Sequence, residues 1–326
     1  MNNYSTLQRL LHRIVLSSEL IRKIIYDIEQ SIFLNKNYNS NKHHVFIAGL
    51  ARSGTTILMN AIYKSNKFAS LTYEDMPFIL APNLWGKVNR NFNSGQPKQR
   101  AHGDRIRIYK NSPEAFEEVF WKTFDLDSIT HEELFTKYIS LILKKNGKTN
   151  YLSKNNQNIR RLDLISKILP NSIILIPFRD PLQQALSLFF QHKRFIKLQN
   201  EDSFARDYMK WIGHSEFGLD YKMIHSTDLS YPNHNEFNHW LEQWLLTYRA
   251  ILDLCGKHKG IYLISYESLC DNPAVWDSIK VLLELNQETN FKFKKAEKPV
   301  DQTFDENLFK KCYRLHESLS SKSFGF

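Results

Sequence analysis

The stretch Val45-Phe-Ile-Ala-Gly-Leu-Ala-Arg-Ser-Gly-Thr-Thr-Ile-Leu-Met-Asn-Ala-Ile-Tyr63 decides how this chain is read. Val45 to Ala48 is short, apolar and partly β-branched, which suits a strand buried in a parallel sheet. Gly49 to Gly54 is a glycine-bounded turn, and Thr55 to Tyr63 reads as a helix. A strand, a tight turn and a helix in immediate succession aim backbone N–H groups at an anion on the helix N-terminus. The nucleoside-triphosphate pattern is GxxxxGK[ST]. Gly49 and Gly54 match it, but Thr55 stands where the lysine belongs. That lysine serves the β- and γ-phosphates, so its absence argues against ATP or GTP hydrolysis. Arg52 instead places a cation inside the turn, and Ser53, Thr55 and Thr56 surround it with hydroxyls. The set suits a terminal phosphate that carries a second anionic group.

Outward from this point, Ser172-Ile-Ile-Leu-Ile-Pro-Phe178 is the strongest strand in the chain. Arg179 follows at its carboxyl end, where ligands bind in open α/β sheets. Asp180 and Pro181 start a helix spanning Leu182 to Leu198, and Ser187 lies on it. Arg179 and Ser187 are placed to hold one phosphate from two sides, with charge-assisted bonds from the arginine. Asn150 to Lys154 and Gly260 to Ser265 read as further strands. Helical sequence follows them to Leu169 and to Leu285, and another helix spans Asn235 to Cys255. Strands alternating with helices predict an α/β fold: a P-loop-like parallel β-sheet flanked by helices. Residues 83–111 read as a long polar loop on the acceptor side. Ser112-Pro-Glu-Ala115 reads as a helix start, with helical insertions over Glu114 to Thr123 and His131 to Lys145.

Near the N-terminus, Leu10, Leu11, Ile14, Val15, Leu20, Ile21, Ile24 and Ile25 fall on one helical stripe. It reads as a helix packed on the main domain. Flanking Arg9, Arg13, Arg22 and Lys23 keep a membrane-surface contact in view, and an oligomer contact is the third reading. The expected organisation is an N-terminal helix and linker over 1–42, then a single α/β domain over 43–326.

Composition narrows the class. The 326 residues are 42% hydrophobic and 24% charged, which are globular values. Lys and Arg number 44 against 34 Asp and Glu, a formal charge of +10 that favours an anionic ligand or surface. Three scattered cysteines, Cys255, Cys270 and Cys312, form no disulfide framework, and a reducing compartment follows. No apolar run approaches the roughly 18–20 residues of a membrane-spanning helix. The chain is expected in the cytoplasm. His43 and His44 are adjacent and point to opposite faces of a strand, and no HExxH or Cys/His cluster appears, so no metal is expected.

The two anion-binding segments together resemble the sulfotransferase superfamily. Arg-Ser-Gly-Thr-Thr at 52–56 resembles its 5′-phosphosulfate loop, and Arg179 with Ser187 its 3′-phosphate motif. Tyr266-Glu-Ser-Leu269 is similar to a recurring Tyr-Glu-x-Leu segment. Tyr151-Leu-Ser-Lys154 resembles a strand ending in a basic residue near the transferred group. The arginine in the loop is similar to the carbohydrate and protein-tyrosine branches. The resemblance spans about Val45 to Pro273. It implies an α/β enzyme that moves a sulfuryl group from 3′-phosphoadenosine 5′-phosphosulfate (PAPS), without a metal, to an acceptor hydroxyl or amine, with a carbohydrate or glycan as first choice. A metabolite or a peptidyl tyrosine is the other acceptor class.

On that reading Arg52 stabilises charge on the leaving phosphate, and Ser53, Gly54, Thr55 and Thr56 hold the 5′-phosphate. Arg179 and Ser187 anchor the 3′-phosphate, and Lys154 touches the sulfuryl oxygens. Three groups stand for the base: Glu74, then Asp75 in the same Tyr-Glu-Asp segment, and His102 in the long loop. Two rivals are a P-loop kinase or NTPase and a non-enzymatic nucleic-acid binder. Thr55 opposes the first. The second rests on Lys144-Lys145 and His192-Lys-Arg194 alone, without a recognition motif, so no nucleic-acid partner is expected.

Overall fold

The computed structural model describes residues 4–34, 43–88, 98–99, 107–124, 130–286 and 288–325. Seven strands occur among them: β1 (Val45–Ile47), β2 (Phe68–Ala69), β3 (Lys98–Gln99), β4 (Arg107–Ile108), β5 (Asn150–Lys154), β6 (Ile173–Phe178) and β7 (Ile261–Ser265). Five form one parallel sheet in the order β2-β5-β1-β6-β7, and β3 and β4 pair as a separate antiparallel ribbon. The helices before β5 are α1 (Thr6–Ser17), α2 (Glu19–Phe33), α3 (Thr55–Tyr63), α4 (Pro82–Val88), α5 (Glu118–Phe124) and α6 (Thr130–Asn146). Those after it are α7 (Leu162–Ile168), α8 (Pro181–Glu201), α9 (Ser203–Trp211), α10 (Phe237–Cys255), α11 (Tyr266–Asp271), α12 (Pro273–Leu282) and α13 (Glu306–Ser321).

Alternation along the strands divides the core into two layers. Phe46, Ile174, Ile176 and Phe178 face the layer filled by α6, α8, α10 and α13, with Trp244, Tyr248 and Leu319 in its interior. Val45, Ile47, Leu152 and Leu175 face the other layer, where Leu58 and Met59 of α3 and Val275 and Trp276 of α12 pack. Both faces are covered, so β1 and β6 are apolar along their whole length, as a buried parallel strand requires.

Strand β1 lies at the centre. The chain first goes to its β5 side and later to its β6 side. Such a reversal opens a crevice at the carboxyl ends of the strands, and the turn after β1 lies in it. The expected fold class is therefore the one observed.

Four local expectations change. The N-terminal stripe is two helices, because Ser18 is extended (φ −95°, ψ 122°) and its hydroxyl caps α2 through Ile21 N. Ser112-Pro113 starts no helix. Pro113 bridges to Thr72, and α5 begins at Glu118, because the intervening carboxylates turn inward. Part of the expected loop at 83–111 is helical: Glu29 of α2, fully buried, accepts from Asn83 N and Leu84 N and caps α4. Finally, α13 was not foreseen. It returns against α10 through Leu308, Cys312, Leu315 and Leu319.

Candidate active site

The turn between β1 and α3 contains two left-handed residues, Arg52 (φ 69°) and Gly54 (φ 101°). Gly54 is the N-cap of α3, and no side chain caps the helix there. Glycine is required there twice over. The backbone is left-handed, and an added Cβ would lie 2.4 Å from Cδ2 of Tyr266.

Tyr266 lies between the turn at Gly54 and the segment that begins at Arg179. Its ring covers Gly54 on one side, and the Arg179 guanidinium stands 5.3 Å from the ring centroid. Glu267, the next residue, accepts from Asp180 N at 3.2 Å, and its Oε1 is 3.7 Å from Arg179 Nε. The Tyr-Glu pair thus packs one segment against the other. Arg179 Nε has no hydrogen-bond partner although it is buried, while its NH2 group donates to Ala296 O at 3.0 Å.

The two segments also touch directly. Arg52 Nε donates to Ser187 Oγ at 2.9 Å, across 135 residues of sequence. Gln184, one turn before Ser187, secures the backbone beneath. It is fully buried, and its Nε2 donates to Leu50 O (3.2 Å) and Ala51 O (3.1 Å). Its Oε1 accepts from Arg179 N (3.3 Å) and Trp244 Nε1 (3.1 Å). Sequence reasoning missed Gln184. The available signal was an amide on the inward face of an apolar helix.

Lys154 ends β5 opposite Ile47, the last residue of β1. It is 5% exposed, with Nζ 4.0 Å from Glu114 Oε1, and Glu114 accepts from Tyr73 OH at 2.8 Å. Glu117 and Glu118 complete a row of buried carboxylates. Glu117 accepts from Tyr151 OH, Trp121 Nε1 and Asn158 Nδ2 at 2.9–3.0 Å. Glu118 takes both arms of Arg161 at 2.7 Å and Asn155 Nδ2 at 2.7 Å. Burial raises the Tyr151 hydroxyl well above its ordinary range, so it stays a donor to Glu117.

A small cleft of about 40 Å³ opens beside the turn, lined by Arg52, Thr55, Thr56, Lys154, His214 and Glu216 among others. Asn156 spans it: Thr55 Oγ1 donates to Asn156 Oδ1 (3.4 Å), and Asn156 Nδ2 donates to Glu216 Oε1 (3.5 Å). His214 and Glu216 were not singled out in the sequence, since they lie in an irregular segment without a motif. A second cleft, at the amino ends of the strands around His43, Lys67 and Tyr262, contains none of the motif residues.

The expected bases are placed as follows. Glu74 is exposed on a 3-10 turn (Tyr73–Asp75), whose carbonyl at Glu74 accepts from Trp85 Nε1. Asp75 is buried. It accepts from Thr72 N and Thr72 Oγ1 and is ion-paired with Lys145, so its carboxylate is taken up in holding the turn. His102 lies outside the described residues.

A parallel α/β sheet with an arginine- and glycine-bearing turn at its switch point is the class that the fold defines. The sulfotransferase family model matches residues 44–216, more than half of the sequence, and the chain belongs to that family. Among solved structures, sulfotransferase STF9 from Mycobacterium avium superposes with a TM-score of 0.56 at 12% identity, covering 98% of this chain and 88% of that one. Sulfotransferase STF1 from Mycobacterium tuberculosis gives 0.49 at 11% identity, covering 95% and 81%. Likeness at such identities is of fold alone. No curated protein sequence matches this chain. Among the described residues, no helix is long and apolar enough to cross a membrane.

Proposed function

We propose that the protein transfers a sulfuryl group from PAPS to a hydroxyl or amine of an acceptor, with a carbohydrate or glycan as first choice. The observation that carries the reading is the 2.9 Å contact between Arg52 and Ser187. It joins the turn proposed for the 5′-phosphosulfate to the helix proposed for the 3′-phosphate. The residues fit such a donor: a helix start at Gly54 with no side-chain cap, the buried Arg179 Nε without a hydrogen-bond partner, and Tyr266 packed between the Gly54 turn and Arg179.

Arg52 holds positive charge where the leaving phosphate gains negative charge, and that placement lowers the barrier if the charge is fixed beforehand. Lys154, restrained near Glu114, faces the transferred group. Arg179 and Ser187 hold the unreacting end and thereby align the donor. Removal of the acceptor proton is assigned to Glu74 by resemblance. His214 and Glu216 compete for that task by position, since both line the cleft beside Arg52. Glu74→Gln, His214→Ala and Glu216→Gln rank them. The true base loses rate by roughly 10²–10⁴-fold with donor binding unchanged.

The deciding experiment is calorimetry with adenosine 3′,5′-bisphosphate in the presence of a chelator, followed by labelled PAPS and a panel of saccharide acceptors. Binding that disappears in Arg179→Ala supports the donor site. Absence of binding, or tight binding of Mg-ATP instead, defeats the reading. Labelled peptide without labelled saccharide would move the acceptor to tyrosine.

A further inference from the structure

The two N-terminal helices are seated firmly on the body yet leave an apolar face outside. Arg22 is buried and donates to Thr123 Oγ1 at 2.7 Å and to Leu16 O. Tyr26 OH donates to Leu134 O at 2.7 Å, and Glu29 caps α4. These buried polar ties fix which way the helices face.

Leu7 (74% exposed), Leu10 (52%) and Ile14 (48%) of α1 face out, as do Leu20 (67%), Ile24 (47%), Ile28 (46%) and Ile32 (57%) of α2. Seven of the thirteen exposed large hydrophobic residues described in this chain are thus in these two helices. Half-exposed, seven such side chains present several hundred Å², at or above the roughly 300–600 Å² of the largest patch on an ordinary monomer. The α2 row, Leu20, Ile24, Ile28 and Ile32, supplies about half of that area, so a standard interface of roughly 800 Å² per partner needs the flanking α1 residues as well.

We propose that this face pairs with a second copy of the chain, α2 against α2, about a two-fold axis between Ile24 and Ile28. Leu20, Ile24, Ile28 and Ile32 recur every four residues and form a single i±4 ridge. Two such ridges interlock in the commonest class of helix packing, crossing near −50°. The two-fold sets Leu20 opposite Ile32 and Ile24 opposite Ile28, so the row is its own complement, as an isologous interface requires.

Charge selects a protein over a lipid surface. A membrane-bound helix presents a Lys- and Arg-rich polar face. Along α2, where the pairing is placed, Lys23 pairs with Glu19 at 2.6 Å and Asp27 is exposed beside Ile24 and Ile28, so the signs are mixed across the ridge, whereas α1 carries Arg9 and Arg13 with no acidic residue.

Sedimentation velocity and light scattering on the full chain test this. Dimeric mass is expected, halved by Ile24→Glu with Ile28→Glu while circular dichroism and melting stay as in the wild type. Val281→Glu and Tyr313→Glu, exposed apolar sites elsewhere, leave the dimer intact. As a readout independent of any folding defect, the Ile24→Cys/Ile28→Cys variant oxidises to covalent dimers, whereas Val281→Cys does not. A monomeric wild type, a dimer that survives the double glutamate variant, or no covalent dimer overturns the proposal. So does a wild type that floats with phosphatidylserine vesicles when the glutamate variant does not, which assigns the face to lipid.

Discussion

The turn at residues 49–54 and the segment at residues 113–118 serve the same cleft and are held in different ways. The turn delivers Arg52 through backbone conformation: two left-handed residues, an uncapped helix start, and a Tyr266 ring where no side chain fits. The other segment reaches the cleft only through Lys154, and it is held by three buried carboxylates with protein partners. Steric fit fails gradually as a contact is lost. A buried charge fails abruptly when its partner is removed, because the remaining ion has no water to turn to. The turn is therefore expected to tolerate changes away from its glycine and arginine, and the carboxylate-held segment to tolerate few.

The largest effect that sharpens this contrast is chemical. Arg52→Ala is expected to cut turnover by roughly 10³-fold, in the range of losing one preorganised transition-state donor, with the melting temperature nearly unchanged. Near-normal turnover in a sulfuryl-transfer assay would remove Arg52 from its role. Next comes Glu118→Gln, which leaves Arg161 facing a neutral amide in a mostly buried site. A stability loss of about 3 kcal/mol is expected from urea unfolding, and a loss below about 1 kcal/mol would show that the carboxylate row is decoration.

Gly54→Ala probes the turn itself. Strain at a left-handed position costs about 1–3 kcal/mol, and the Tyr266 contact adds to it. Adding Tyr266→Ala should recover the contact part and leave the backbone part. Fully additive losses in this double-mutant cycle would show that Tyr266 does not press on Gly54.

The smallest effect concerns the root of β1. His44 is buried, its Nδ1 accepts from Tyr151 N at 3.1 Å, and burial lowers its pKa from 6.5 to about 4. The unfolded chain therefore takes up this proton first. The stabilising contribution is complete above pH 6.5 and is lost as the pH falls toward 4, amounting to about 1–2 kcal/mol by pH 5. His44→Asn keeps an acceptor and removes the titration, so its stability should fall less steeply between pH 7 and pH 5. Parallel slopes would count against His44 as a contributor.

The strand–turn–helix around Arg52 and the strand before Arg179 were legible because their patterns are local. Gly49, Arg52, Gly54 and Thr55 follow one another on a strand–turn–helix, and Arg179 follows the most apolar strand. Strand β5 was read to the residue, since Asn150 to Lys154 ends against a polar stretch. The break at Ser18 was not foreseen, because apolar spacing runs through it unchanged and only the cap hydrogen bond shows where one helix ends. Ser112-Pro113 misled for a related reason: capping preferences describe an isolated chain end, and here a bridge to Thr72 and the inward turn of Glu114 outweighed them.

Sequence alone determined the sheet, the glycine-bounded turn and the absence of the triphosphate lysine, since each depends on neighbours within a few residues and on the period of the apolar pattern. Tertiary structure alone decided which distant groups meet. It joined Arg52 to Ser187, set Gln184 under the turn, drew Lys154 toward Glu114, and brought His214 and Glu216 into the cleft. Those pairings form only when helices and strands far apart in sequence share one packed core, and no local preference encodes which of them will come together.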